Sequence, residues 1–335
     1  MDKREVFQKA IDLINGSKHV LVTTHTRPDG DACGCVAAIR DVLEGLGKKV
    51  ELLMLSEIPQ WYRFLFQHNV PILTKDVAPE QLGEGAYAQI DLVIIVDTNS
   101  YSQLPNLEGF LRNNHKPVLV IDHHVTSDGL GTVELIDTGA AAAGLLVLDL
   151  FKAAGWPIGA GVADSLFVAV ATDTGWFHFS NTDSRAYTCA AELIAAGANP
   201  SELYKGLYQN FSVARFRLMV TMLGHLELYF EGRYAAQYLG REDFERTGAA
   251  YSDTENLIDE CRRIGSVEAA ALFVELKDGR IRCSLRSTGG VDVREIAQKF
   301  GGGGHKMAAG TYLPGPLDNA KKIIYQEMAK ELLRG

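Results

Sequence analysis

The sequence predicts a two-domain α/β chain: an N-terminal parallel sheet with helices on both faces, a helical connector and a smaller α+β C-terminal module. Three observations carry this. The chain has 335 residues, 47% of them hydrophobic and 22% charged, enough to bury a large core and long for a single domain. Its first half alternates short apolar runs with amphipathic helical stretches, as parallel strands joined by crossover helices do. From about Glu227 the order of strand and helix signals changes. The expected division is 1–198, 199–226 and 227–335.

In the first domain the strands are expected over His19–Thr24, Lys49–Leu55, Asp91–Val96 and Val118–Ile121, short runs of Val, Ile and Leu bounded by polar or turn residues. Helices are expected over Asp31–Leu46 and Ala140–Ala154, where apolar residues recur at helical spacing and Gly47 and Gly155 mark the stops. An apolar stretch, Ala160–Thr172, runs into Asp173, and Arg185–Ala196 reads as a helix ending at Gly197. Ser201–Leu226 is helical in pattern and forms the connector. A cleft between two domains is a usual place for a ligand. In the second domain Tyr234–Leu239, Val267–Leu276 and Arg280–Arg286 read as strands, with Asp278-Gly279 as a hairpin turn. Leu257–Arg263, Val293–Phe300 and Leu317–Leu333 read as helices.

Composition excludes several classes. The apolar runs fall short of the roughly 18 residues that span a bilayer, and the start Met1-Asp2-Lys3-Arg4-Glu5 leads into no apolar signal core. A cytoplasmic protein without membrane partners is expected. Five scattered cysteines, Cys33, Cys35, Cys189, Cys261 and Cys283, lack the spacing of a zinc cage or a disulfide framework and read as reduced thiols. The net charge of −9 argues against a long track of phosphate contacts, and so against long duplex nucleic acid. Clustered carboxylates and imidazoles offer the acidity another use, as ligands of divalent cations.

Four places in the first domain put acids or imidazoles at the end of an apolar strand or helix. The first is His25-Thr26-Arg27-Pro28-Asp29-Gly30-Asp31; the plain alternative for Asp29 and Asp31 is a polar turn with a helix N-cap. The second is Asp97 after Ile94-Ile95-Val96, and the third is Asp122-His123-His124 after Val118–Ile121. The fourth is Asp173. The carboxyl ends of parallel strands line one crevice, so such groups converge in space however far apart they lie in sequence. His25, Asp29, Asp31, Asp97, His123 and Asp173 are enough for two cations in the arrangement used for in-line displacement at phosphorus. His124 is left to contact the scissile phosphate or help the leaving oxygen.

This arrangement resembles the DHH phosphoesterase family, named for the triplet present here as Asp122-His123-His124, and the likeness extends to the HxxxDxD motif at His25, Asp29 and Asp31 and to Asp97 and Asp173. The resemblance implies two Mn²⁺ per site, with Mg²⁺ or Co²⁺ as substitutes, held by those six residues with Asp97 bridging. Asp122 and His124 are then the catalytic pair, His124 acting on the substrate phosphate.

In the second domain Arg286-Ser287 precedes a helix and the run Gly301-Gly302-Gly303-Gly304-His305. Glycines let backbone N–H groups approach a phosphate, the alternative being a flexible turn. This run is similar to the substrate loop of the DHH-associated C-terminal domain. By that similarity Arg286, Ser287, Gly302, Gly303, Gly304 and His305 contact substrate, with Arg262 or Arg263 as further candidates. Residues 260–310 carry nine Lys or Arg against six acids, which suits recognition of one or two phosphates.

The compact pairing of both domains is most similar to the NrnA-like enzymes of the family. The implied activity is degradation of short single-stranded RNA, including linear dinucleotides, to mononucleotides, with 3′-phosphoadenosine 5′-phosphate as a further substrate. A homodimer is compatible with this. The competing expectations are an inorganic pyrophosphatase, against which the glycine run with His305 counts, a processive exonuclease, for which the chain lacks extra domains, and a nucleotide-binding protein without turnover.

Overall fold

The computed structural model describes residues 3–113 and 115–333. They form two compact units, residues 1–209 and 210–335. The first contains, in chain order, α1 (Lys3–Gly16), β1 (His19–Thr24), α2 (Gly30–Gly45), β2 (Lys49–Leu53), α3 (Gly85–Ala88), β3 (Leu92–Val96), α4 (Glu108–Asn113), β4 (Val118–Asp122), β5 (Val133–Ile136), α5 (Ala143–Ala154), α6 (Ala160–Asp173), α7 (Ser184–Ala195) and α8 (Pro200–Tyr208).

Its five strands are all parallel, in the order β2-β1-β3-β4-β5. The order reverses between β1 and β3, and such a switch point opens a crevice at the carboxyl ends of the strands. The register sets Thr24 beside Val96 and Val96 beside Ile121. The next residues along, His25 and Asp97, therefore leave the sheet at one edge, beside Asp122, the last residue of β4.

The strands are buried on both sides, so alternate residues enter different cores. Val20, Val22, Ile94 and Ile121 pack with the long helices α1, α2, α5 and α6. Leu21, Val93, Ile95 and Val120 pack with Leu73, Leu82, Leu107 and Leu111 from short helices and loops. Helices thus cover both faces, one of them thinly.

The long helices approach closely at three glycines. A β-carbon at Gly34 would lie 2.3 Å from the Ser165 carbonyl oxygen, one at Gly30 2.3 Å from Thr172 Oγ1, and one at Gly144 2.7 Å from the Ala169 β-carbon. Any side chain there would push α2 or α5 away from α6 and widen the crevice above them.

Two expectations about this unit change. The strand expected over Lys49–Leu55 ends at Leu53, and Met54 makes only an isolated bridge to Ile72. β5 had no apolar signature because it is an edge strand on which only Leu135 is buried. The stretch expected as one helical connector holds two helices. Ser212 accepts the Arg215 amide and starts a new helix, so the chain breaks between Tyr208 and Val213.

The second unit contains α9 (Val213–Gly224), β6 (Glu227–Tyr229), β7 (Tyr234–Leu239), α10 (Arg241–Thr247), β8 (Ala269–Glu275), β9 (Ile281–Ser287), α11 (Val293–Gln298), β10 (Gly303–His305), β11 (Ala308–Leu313) and α12 (Leu317–Leu332). The sheet runs β10-β11-β9-β8-β7-β6 and is antiparallel except between β7 and β8. α11 and α12 cover one face; α9 and the segment Leu257–Arg263 cover the other. That segment, expected as an α-helix, is a 3₁₀-helix entered through Asn256 in the left-handed region.

The glycine run also differs from its expected loop. Gly303–His305 is an edge strand paired with Ala308–Gly310. Gly302 and Gly304 are required there, since β-carbons would meet the carbonyl oxygens of Gly310 at 2.2 Å and Ala308 at 2.5 Å. Among the described residues no helix is long and apolar enough to cross a membrane.

Candidate metal centre

The chain turns out of β1 at His25 and out of β3 at Asp97, β4 ends on Asp122, and α6 ends on Asp173 at the same edge. Asp29 accepts the Ala32 amide at 3.1 Å and so caps α2. The plain alternative for this residue is therefore also true, since one carboxylate oxygen caps a helix while the group still faces His25. Asp31 is buried on the first turn of α2 and accepts the amides of Ala143 at 2.6 Å and Gly144 at 2.9 Å, at the start of α5. A carboxylate at a helix N-terminus is favoured by the exposed N–H groups and the dipole. Gly144 lets α5 come that near.

Three groups of ligand-type atoms gather here. His25, Asp29 and Asp97 form one, Asp31, His123 and Asp173 a second, and Asp97, His123 and His124 a third; in each, the potential ligand atoms lie within 4.8 Å of one another. Asp97 joins them. Its Oδ2 is 3.4 Å from His25 Nε2, and its Oδ1 is 3.4 Å from His123 Nε2. His123 Nε2 also lies 3.5 Å from Asp173 Oδ2 and 3.8 Å from Asp31 Oδ2. Asp97 has φ of +60°, a strained conformation for a non-glycine residue that clusters at functional sites. Its amide donates to the Ile121 carbonyl at 2.9 Å, which holds the turn in place.

Both inward histidines are oriented by backbone carbonyls. Nδ1 of His25 is 2.9 Å from the Thr26 carbonyl and Nδ1 of His123 is 3.1 Å from that of Ala140. A carbonyl only accepts, so Nδ1 carries the proton and Nε2 turns its lone pair to the acids, as in metal-bound imidazoles. Carboxylate oxygens facing such lone pairs need positive charge between them. Asp97 Oδ1 is sealed from water without a well-formed hydrogen bond, at a cost of about 1–3 kcal/mol unless a proton or cation answers it. The donor set of imidazole nitrogen and carboxylate oxygen fits a divalent ion such as Mn²⁺.

Without a cation, protons take that place. Burial opposes a charge on His25, but its hydrogen bond to Asp97 and the charges of Asp29 and Asp97 prevail and push it up to about 9. His123 is likewise pushed up to about 10, against burial, by Asp97, Asp31 and Asp173. Burial lifts Asp173 to about 7. Asp97 stays below the usual carboxylate range, since the facing imidazoles of His123 and His25 outweigh its burial.

His124 stands apart. Its Nδ1 donates to Asp122 Oδ1 at 2.8 Å, an oxygen that also accepts the amides of His123 and His124. Asp122 is wholly buried, whereas the His124 side chain is half exposed. The hydrogen bond raises the His124 pKa and leaves Nε2 free to meet a ligand.

The six expected ligands, with Asp122 and His124, therefore come together in the first unit. Sequence reasoning missed Asn181, whose amide donates to the carbonyls of Asp173 at 3.1 Å and Ala141 at 3.2 Å and ties the end of α6 to the entry of α5. The turn-type run Ser180-Asn181-Thr182 was its only signal. The carbonyls of Thr26 and Ala140 carry none.

The residues expected to contact substrate in the second unit lie on or beside β9 and β10. Arg286 Nε donates to Asp259 at 3.1 Å, and Arg262 pairs with the same carboxylate at 3.4 Å; Arg263 pairs with Glu260. Ser287 is buried, and its hydroxyl accepts the Gly289 amide at 2.9 Å, so it closes a turn. Gly302 precedes β10, and Gly303 and Gly304 lie in it. The His305 side chain lies outside the described residues.

Residues 19–170 match the family model described as "DHH family, N-terminal domain", and residues 231–333 match the DHHA1 domain. The bifunctional oligoribonuclease and PAP phosphatase NrnA of Thermus thermophilus is 30% identical, over 99% of this chain and 95% of its own length. The fold is similar to that of an exopolyphosphatase-related protein of Bacteroides fragilis, with a TM-score of 0.87 at 22% identity, covering 99% of this chain and 98% of that one. RecJ of Thermus thermophilus in complex with Mn²⁺ has a TM-score of 0.51 at 16% identity, covering 98% of this chain and 55% of that one. The chain belongs to the DHH family of phosphoesterases.

Proposed function

We propose that this enzyme hydrolyses short single-stranded RNA, linear dinucleotides included, to mononucleotides and removes a phosphate from 3′-phosphoadenosine 5′-phosphate. The observation that carries it is Asp97, whose two carboxylate oxygens each face a different set of ligand atoms. Two divalent cations, Mn²⁺ first, fit that arrangement: one at His25, Asp29 and Asp97, the other at Asp31, His123, Asp173 and Asp97. Bound there, they would supply an activated water and offset the charge that builds on the phosphoryl oxygens.

The chain's own groups do the rest. Asp122 is a positioning residue that holds His124 by Nδ1, and His124 Nε2 delivers a hydrogen bond or a proton to the leaving oxygen. In the second unit Arg286, the backbone around Gly302–Gly304 and His305 bind a substrate phosphate, with Arg262 beside Arg286; Ser287 shapes that turn from beneath. The name of the Thermus thermophilus relative supports the substrate class, and the net charge of −9 favours short substrates over long ones. Five free, buried cysteines fit a cytoplasmic setting.

The test is product analysis with Mn²⁺ on 5′-phosphorylated RNA of about two, five and twenty-four nucleotides, alongside 3′-phosphoadenosine 5′-phosphate and pyrophosphate; substrate reach should fall with length because few cations are available to track a long backbone. Rapid release of mononucleotides from the shortest RNA is expected. Turnover of pyrophosphate alone, or equal rates at every length, would overturn the proposal.

A further inference from the structure

The turn that carries the chain from β1 to α2 holds one side chain that neither the ligand sets nor the core employs. Arg27 lies between His25 and Asp29, exposed, with φ of +55°. That is the left-handed region, where a β-carbon is crowded and glycine sits without strain. The conformation is pinned by its surroundings. The Thr26 amide donates to the Gln103 carbonyl at 2.9 Å, the Thr26 carbonyl faces His25 Nδ1 at 2.9 Å, and the Arg27 amide donates to Ser56 Oγ at 2.6 Å. Strain fixed in this way clusters at functional sites, and here an arginine bears it where glycine would cost nothing.

Charge sets the position apart as well. Arg40, Arg63, Arg112 and Arg185 of the first unit each pair with a carboxylate. The Arg27 guanidinium has neither an ion pair nor a hydrogen bond among the described residues; only its amide is engaged. Asp29, two residues on, does not take it. Its Oδ1 accepts the Ala32 amide and lies 4.0 Å from His25 Nε2. A guanidinium left unpaired beside so many carboxylates is available to an anion that the chain itself does not supply.

We propose that Arg27 grips two non-bridging oxygens of the substrate phosphate, over the cation that His25, Asp29 and Asp97 would hold. The inference rests on the two-cation phosphoesterase reading of this centre and adds to it a residue outside both ligand sets. A planar guanidinium offers parallel N–H donors at the spacing of two phosphate oxygens, which an ammonium group cannot. The centre also needs the charge. Asp29, Asp31, Asp97 and Asp173 carry enough negative charge to cancel two divalent cations, so a phosphate arriving there meets little net attraction unless a further cation stands beside it.

Phosphate binding by the full chain loaded with Mn²⁺ is the test, with inorganic phosphate as the probe and its affinity read from paramagnetic broadening of its phosphorus NMR signal. Arg27→Gly relieves the strain and removes the cation. It should weaken phosphate binding, and raise KM for a linear 5′-phosphorylated dinucleotide, by about ten- to a hundredfold, the loss of a charge-assisted pair of hydrogen bonds, with kcat changed far less. Mn²⁺ stoichiometry and the thermal midpoint should match those of the wild type. Arg27→Lys should recover only part of the loss, since it restores the charge without the fork. Equal phosphate affinity in wild type and Arg27→Gly would overturn the role of Arg27 and leave the reading of the centre standing. A Mn²⁺-loaded wild type that binds no phosphate would overturn both. If Arg27→Gly unfolds or loses Mn²⁺, Arg27→Gln decides, and wild-type phosphate affinity in that variant counts against the proposal.

Discussion

Adding Mn²⁺ to the metal-free protein at pH 7 should release about two to three protons per active site. The imidazoles of His25 and His123, pushed up to about 9 and about 10, are almost fully charged at that pH, and Asp173 at about 7 is half protonated. A cation at Nε2 must displace both imidazole protons. At 1.36 kcal/mol per pKa unit, removing them at pH 7 costs about 3 kcal/mol at His25 and about 4 kcal/mol at His123. The sign follows: groups whose pKa is raised hold protons below that pKa, so cation affinity rises with pH and levels off above about 10. Between pH 6 and 8 the product of the two binding constants should climb roughly a hundredfold per unit, one decade for each imidazole. Isothermal titration calorimetry in buffers of different protonation enthalpy counts the protons directly. Release of fewer than one proton, or an affinity flat from pH 6 to 9, would mean that the imidazoles are not ligands and would refute the reasoning.

Other perturbations separate the parts of the site. Asp97→Asn removes the charge that both ligand sets share, so Mn²⁺ stoichiometry measured by electron paramagnetic resonance should fall and activity should drop by about a thousandfold or more; two tightly held cations in this variant would count against a bridging role. His124→Ala should lower kcat by about a hundred- to ten-thousandfold with Mn²⁺ stoichiometry unchanged. Asp122→Asn should cost less than His124→Ala and move the alkaline limb of the kcat profile to lower pH, because the donating imidazolium of His124 loses the carboxylate that raises its pKa; an unmoved profile would show that Asp122 does not act through His124. Gly34→Ala drives a methyl against the Ser165 carbonyl and should destabilise the first unit by about 1–3 kcal/mol, seen as a fall of several degrees in its thermal midpoint; an unchanged midpoint would mean that α2 and α6 separate freely.

Much of the fold is written in local signals. β1, β3 and β4 are fully buried and read as short runs dominated by Val, Ile and Leu, and α2 and α5 stop near glycines that the sequence displays. What stayed hidden lacks such signals. β5 and β10 are edge strands, one half-exposed and one made largely of glycine, and their pairing depends on neighbours distant in the chain. The 3₁₀-helix at Leu257–Arg263 keeps the apolar spacing of an α-helix, so periodicity cannot tell them apart.

For the site, the sequence by itself determined the chemistry available: the imidazoles and carboxylates at strand and helix ends, within the motifs of one family. Only the tertiary structure decided how they divide. It set Asp97 between the two groups, turned Nε2 of His25 and His123 inward by means of the Thr26 and Ala140 carbonyls, and made Asp31 both a receptor for the start of α5 and a neighbour of His123. Asp31 accepts from amides 112 and 113 positions further along the chain, and local sequence carries no record of such contacts. They exist because the parallel register ends β1, β3 and β4 together and because glycines at 30, 34 and 144 let three helices close beneath that edge.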